Sequence, residues 1–117
     1  MSADRQHSFR VTDLIKLAFG AYAAEFGMQE SELMGLLIIR ELRHCQLRGF
    51  TAAGGQITCG SGGDTKVTAH FPSIAAKAQF NAYASSCGVG SGRAGAWIIE
   101  RELDERWFER AISHAAI

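Results

Sequence analysis

Apolar and polar residues alternate in two short stretches of the chain. In the first, Phe9 and Val11 are interleaved with Ser8, Arg10 and Thr12. In the second, Val67, Ala69 and Phe71 are interleaved with Lys66, Thr68 and His70. A period of two with one apolar side predicts a strand. Pro72 stops the second strand, and Ser73 is a good N-cap for a helix behind it. After each strand the period lengthens. Leu14, Leu17, Ala18 and Ala21 recur at helical steps, which predicts a helix over about 13–26 with that stripe as its buried face. Ala75, Ala78, Gln79 and Ala82 hold the same wheel positions in a helix over about 74–87. Both patterns stop at a glycine, Gly27 or Gly88, the residue type that suits a left-handed helix end. A second helix starts two or three residues later in each case. One carries Glu30 and Glu32 in its first turn, where carboxylates complement the helix dipole. The other opens on Gly90-Ser91-Gly92-Arg93 and places Ala96, Ile99, Leu103 and Trp107 along one face.

The same order of elements occurs twice, and the residues repeat with it. At an offset of 61, ten of the 27 positions from Lys16 to Leu42 are identical in the second copy. The longest matching block is Phe-x-Ala-Tyr-Ala, starting at Phe19 and Phe80, and the next is Ile-x-Arg-Glu-Leu, starting at Ile38 and Ile99. The strands keep a common inward and outward phase only at an offset of 60, so one extra residue must sit near Pro72–Ser73. The chain therefore divides into a strand–helix–helix unit over 7–48, a flexible Gly-rich linker over 49–64 and a second unit over 65–113. A phosphate-loop reading of the Gly60-Ser61-Gly62-Gly63 run fails for want of the Gly-Lys-Ser/Thr ending.

A lone strand leaves both of its edges unpaired, and two helices with one strand cannot bury their apolar faces. Antiparallel pairing of the two strands answers both needs. It puts Phe9, Val11, Ala69 and Phe71 on one side, against four helices. The fold class expected is mostly α with a two-stranded antiparallel β-ribbon, its core drawn from both copies.

Composition narrows the function classes. The chain has 117 residues, 47% of them hydrophobic, enough for one domain with a modest core. No apolar run approaches the ~20 residues of a membrane span, and the N-terminus lacks a signal-peptide core, so a cytoplasmic protein without membrane association is expected. Cys45, Cys59 and Cys87 are odd in number and widely spaced, which predicts reduced thiols and no metal site. No cofactor motif is present. No nucleophile–base or carboxylate pair has a supporting motif, so no enzyme activity is expected. Net charge is zero, so any nucleic-acid binding must come from local charge on one face.

A short strand, a helix ending in glycine and a second helix with a Ser/Glu-rich start and an Ile/Leu-rich face resemble the ribbon-helix-helix family. The most specific piece runs from Phe19 to Leu33, followed by Leu36, Leu37 and Ile38. The resemblance covers about four-fifths of the chain. Most members are homodimers. This chain resembles the tandem members, such as TraY-type and VirC-type accessory proteins of plasmid or T-DNA transfer, in which one polypeptide acts as a pseudodimer. The resemblance implies a monomer that binds double-stranded DNA by laying its ribbon in the major groove, a space a two-stranded ribbon fits. The outward set is then Ser8, Arg10 and, at the strand's end, Thr12, with Lys66, Thr68 and His70 opposite. Arg10 and Lys66 suit guanine O6 and N7, while Ser8, Thr68 and His70 discriminate less.

The resemblance also implies phosphate contacts where each second helix begins, because free N–H groups and the dipole favour an anion there. Ser91, Gly92 and Arg93 form an open, cationic start, whereas Ser31 lies between two carboxylates, so the second copy should grip the backbone better. Lys16 and Lys77, near the starts of the first helices, are further phosphate candidates. The acidic stretch Glu100, Glu102, Asp104, Glu105 and Glu109 should face away from DNA; with Trp107 and Phe108 it is either a partner surface or, as is commoner, a solvated acidic side over core aromatics. Two functions remain open at this point. One is sequence-specific DNA binding, as a transcriptional regulator or transfer accessory protein. The other is a protein-interaction module, antitoxin-like or scaffolding, that keeps the fold without DNA binding.

Overall fold

The computed structural model describes residues 5–58 and 63–115. It is mostly helical, with one two-stranded antiparallel sheet. The first half runs β1 (Gln6–Val11), α1 (Asp13–Glu25), α2 (Glu30–His44) and α3 (Gln46–Ala52). The second runs β2 (Thr65–His70), α4 (Ile74–Ser86), α5 (Ser91–Glu105) and α6 (Trp107–Ala115). The strands and the first two helices have the same lengths in both halves: 6, 13 and 15 residues. No helix is long and apolar enough to cross a membrane.

β1 pairs with β2 across the two halves, with Ser8 opposite Thr68, Phe9 opposite Val67 and Arg10 opposite Lys66. Phe9, Val11, Val67, Ala69 and Phe71 all point inward and are buried. The residue that shifts the phase between halves is Pro72, between inward Phe71 and the N-cap Ser73. In the first half Val11 is followed directly by the N-cap Thr12. Thr12 therefore does not belong to the outward face of the ribbon: its Oγ1 accepts from the backbone N–H of Ile15 at 3.3 Å.

Each second helix packs on the other half's strand, α2 on β2 and α5 on β1. Glycine permits both approaches. A Cβ on Gly95 would overlap the ring of Phe9, and one on Gly35 would lie 2.8 Å from the carbonyl oxygen of His70. Gly95→Ala should therefore destabilise the protein by about 1–3 kcal/mol, the range for overpacking a filled core. A urea titration followed by circular dichroism measures it, and an unchanged midpoint would contradict this packing.

The first helices bury a different stripe from the one their sequence suggests. Phe19, Tyr22 and Ala23 are buried in α1, as are Phe80, Tyr83 and Ala84 in α4. Leu14 is 80% exposed and Leu17 70%, and Ala18, Ala21, Ala75, Ala78, Gln79 and Ala82 lie outside the core too. The aromatic stripe wins because it removes far more apolar area from water than alanines and short aliphatics do. The left-handed ends fall where the glycines predict: Gly27 has φ +68° and Gly88 φ +77°.

A third helix in each half is the main addition to the expected elements. The second helices do not run on through Leu103 to Trp107. They break at Cys45 (φ 52°) and Arg106 (φ 51°), two non-glycine residues in the left-handed region. Helix α3 then takes up Gly49–Ala52, so the linker is shorter than its glycine content suggests. Residues 59–62 of that linker, Cys59 among them, lie outside the described residues.

Both breaks are held by a buried polar cluster that occurs twice at the repeat offset. Glu41 and Glu102 are 5% and 3% exposed, the two buried charged residues among those described. Tyr22 of the first half donates to Glu102 Oε2 of the second at 2.6 Å, and Tyr83 donates back to Glu41 Oε2. The same carboxylate oxygens accept the N–H of Phe108 (2.8 Å) and Leu47 (2.7 Å). The tyrosine oxygens accept the N–H of Glu109 and Arg48, each at 3.1 Å. A glutamate and a tyrosine from opposite halves thus cap the start of each third helix. Arg106 lies over the Tyr22 ring at 4.5 Å, and Arg48 over that of Tyr83 at 5.0 Å.

Burial and the neighbouring carboxylate hold both phenols well above the ordinary tyrosine range. The unfolded chain loses these protons near pH 10, while the folded protein keeps them. Stability should therefore be full below about pH 10 and fall as pH rises above it. These are the chain's two tyrosines. In a spectrophotometric titration, phenolate absorbance should appear only together with loss of the helical signal. Two phenols ionising near pH 10 in a folded protein would contradict the cluster.

Candidate nucleic-acid interface

The outward side of the ribbon carries six side chains in three cross-strand pairs. Ser8, Arg10, Lys66, Thr68 and His70 all lie there, as their alternation predicts. The register adds Gln6, opposite His70. Gln6 stands one period-two step before Ser8 and Arg10, and that phase is the sequence signal that finds it. The pairs interact in different ways. The Gln6 amide donates to His70 Nε2 at 2.9 Å. Ser8 Oγ and Thr68 Oγ1 are 2.9 Å apart and share a hydrogen bond. Arg10 and Lys66 face each other as like charges, both exposed, and neither side chain has a hydrogen-bond or ion-pair partner among the described residues. Like charges directly opposite each other weaken a sheet. No apolar side chain shares this face among the described residues.

The two second-helix starts differ in the way their sequences predict. At α2, Lys16 forms an ion pair with Glu30 and donates to the carbonyl of Lys66 at 2.8 Å. Glu32 accepts the N–H of the N-cap residue Gln29 at 2.9 Å. The ammonium of Lys16 is thus committed within the protein, and Ser31 sits between two carboxylates. At α5 the position of Glu30 is taken by Ser91, and Lys77, the counterpart of Lys16, has no ion-pair partner among the described residues. Gly90 caps this helix with open backbone around it. Arg93 reaches the carbonyl of Ile57 at 2.5 Å, which brings the segment that follows α3 beside this helix start.

His7 is a residue the alternation does not single out. It lies in the inward phase, stacked on Phe9 with ring centroids 4.6 Å apart. Its Nδ1–H donates to the Ser8 carbonyl at 3.1 Å, and its Nε2 accepts from the Ser91 hydroxyl at 2.8 Å. Burial pushes His7 below the ordinary histidine range. The Ser8 carbonyl pulls against that, and the charge of Lys77 adds to it. The neutral ring thus ties β1 to the first turn of α5 and aims Ser91.

In the acidic last helices Trp107 and Phe108 are partly buried against the core. Glu102 is buried in the capping cluster. Phe108 packs edge-on against Phe26 at 5.2 Å, and Arg40 covers the ring of Trp107 at 4.4 Å. Arg101–Glu105 and Arg106–Glu109 are paired on the surface. These contacts use the aromatic residues as packing. No family model matches the chain, and neither does any curated protein or solved structure.

Proposed function

We propose that the chain is a tandem ribbon-helix-helix protein, both halves in one polypeptide, that binds double-stranded DNA with the outer face of its ribbon in the major groove. The observation that carries this is the Arg10–Lys66 pair. Two exposed cations placed opposite each other, without a carboxylate partner among the described residues, cost the sheet stability unless an anionic partner meets them. Guanine O6 and N7, together with the phosphates beside them, supply that partner. Ser8, Thr68, His70 and Gln6 offer donors and acceptors to the flanking base edges.

The backbone contacts divide unequally. The α5 start receives a phosphate on the open backbone N–H groups around Ser91 and Gly92, with the charges of Arg93 and Lys77 nearby. The α2 start has its lysine consumed by Glu30 and presents further carboxylate. The target is therefore an asymmetric sequence rather than a perfect palindrome. One chain suffices for one DNA site, as a transcriptional regulator or an accessory protein of plasmid or T-DNA transfer.

Methylation of guanine N7 tests the groove assignment. Duplex methylated there should bind several-fold more weakly than unmodified duplex in a gel shift, because the methyl group blocks the acceptor that Arg10 and Lys66 use. Equal binding of both duplexes would contradict the major-groove placement.

A further inference from the structure

The His7 ring stands between the ribbon and the start of α5, and its neighbours fix the role of each nitrogen. Nδ1 faces the Ser8 carbonyl, which can only accept, so Nδ1 carries the proton of the neutral ring. Nε2 is then an acceptor, and the Ser91 hydroxyl 2.8 Å away donates to it. A serine hydroxyl has a single proton. While His7 is neutral, Ser91 therefore has none to give to an anion at the helix start. The charges around the ring are of one sign. Lys77 of α4 disfavours the charged ring, and so does the positive end of the α5 dipole. Arg5, two residues back, donates to the Pro72 carbonyl, and Arg93 of α5 donates to that of Ile57. β2 sets the uncharged Ala69 opposite His7 and turns His70 to the outer side. No carboxylate pairs with the ring among the described residues. The other half lacks this arrangement. At the repeat offsets α2 has Glu30 in place of Ser91, and β2 has Val67 in place of His7.

We propose that His7 is a positioning residue of the phosphate site at the α5 start, acting through Ser91, and that DNA binding there takes up a proton on its ring. The inference rests on the DNA-binding reading above and adds the regulation of that site by pH. The proton comes from solvent and adds to Nε2. The charged ring then donates through both nitrogens. Nδ1–H keeps the Ser8 carbonyl, and Nε2–H turns to Ser91 Oγ, which now accepts. The hydroxyl proton is released to donate to a phosphate oxygen, and a cation stands behind the hydroxyl. In the free protein Lys77, the helix dipole and burial all oppose this state. A phosphate supplies the negative charge that the site lacks and so favours it. Linkage makes the effect reciprocal: if phosphate favours the charged ring, protons favour phosphate. Duplex affinity should therefore rise as pH falls through the histidine range.

Two readouts over about pH 5 to 8 test this. The first is the His7 ring signal in proton NMR, identified by its loss in His7→Gln and followed with and without a short random-sequence duplex. In the free protein the ring should titrate below the ordinary histidine range, and in the complex it should titrate at a higher pH. The second is duplex affinity by fluorescence anisotropy at fixed salt. The wild type should tighten towards low pH by several-fold more than His7→Gln does, with circular dichroism verifying that the variant is folded. A merely structural His7 would change affinity by the same factor at every pH. The NMR readout is made on the wild type, so it stands even where the variant fails to fold. A ring that titrates at the same pH with and without bound duplex overturns the proton uptake and leaves DNA binding intact. So does a folded His7→Gln protein whose affinity follows pH as the wild type's does. Duplex that binds at no pH in this range overturns the DNA-binding reading and this inference with it.

Discussion

Glu102→Ala should destabilise the protein by about 3–5 kcal/mol, a large part of the 5–15 kcal/mol that holds a typical domain. Its carboxylate oxygen accepts from both the Tyr22 hydroxyl and the Phe108 N–H. Removal leaves two buried donors without an acceptor, each costing about 1–3 kcal/mol, along with a cavity. It also removes the cap that holds Arg106 in a left-handed conformation, so α6 should come away from the core. Glu41→Ala should act alike on α3, through Tyr83 and Leu47. The conservative variant separates this from a general intolerance of change. Both donors converge on one oxygen, so the single carbonyl of Glu102→Gln can accept both bonds. That variant should lose only about 1 kcal/mol. Urea unfolding of the three proteins gives the comparison. Equal losses for alanine and glutamine would contradict the capping role.

This cluster also shows where the sequence is informative. Tyr22/Tyr83 and Glu41/Glu102 stand among the repeat identities, yet periodicity says nothing about polar residues on a buried face. Their identity in both copies is the available signal that they share a job. The third helices are hidden in the sequence for a related reason. The apolar spacing continues through Leu103 and Trp107, and the breaks fall on Cys45 and Arg106, which have no turn signature. The helix is broken where its own glutamate, four residues back, and a tyrosine from the other half cap the next one, and no apolar periodicity encodes that.

The exposed stripe on α1 teaches the same lesson in reverse. Leu14, Leu17, Ala18 and Ala21 fit a helical face as well as Phe19, Tyr22 and Ala23 do. Periodicity alone cannot choose between the two. The repeat can, because Phe19, Tyr22 and Ala23 recur unchanged while Leu14 and Leu17 become alanines. The ribbon, by contrast, is legible almost in full. Strict alternation fixes which side chains share a face, and the single-residue shift at Pro72 keeps the two strands in phase. The outward set follows from that phase, less Thr12, which caps α1, and with Gln6 added by the register.

The Arg10→Ala/Lys66→Ala double variant should lose duplex binding at least about tenfold while folding as well as the wild type. Each side chain is exposed and has no partner among the described residues, so truncation breaks no side-chain contact of the fold. Relief of the like-charge pair should even raise stability by a few tenths of a kcal/mol. Binding should suffer because few cations face the groove and the chain has no net positive charge to compensate. A residue that costs stability yet supports binding has the balance expected of a functional site.

The most direct measurement is the affinity of the wild type and this double variant for random-sequence duplex across a salt series, read by fluorescence anisotropy. The wild type should bind at about 50 mM salt and weaken steeply as salt rises. The double variant should bind at least about tenfold less tightly, with a log–log salt slope shallower by roughly two units, one for each lost cation. Absence of wild-type binding at about 50 mM salt, or a double variant that matches the wild type in affinity and slope, would contradict the ribbon as a DNA-reading surface.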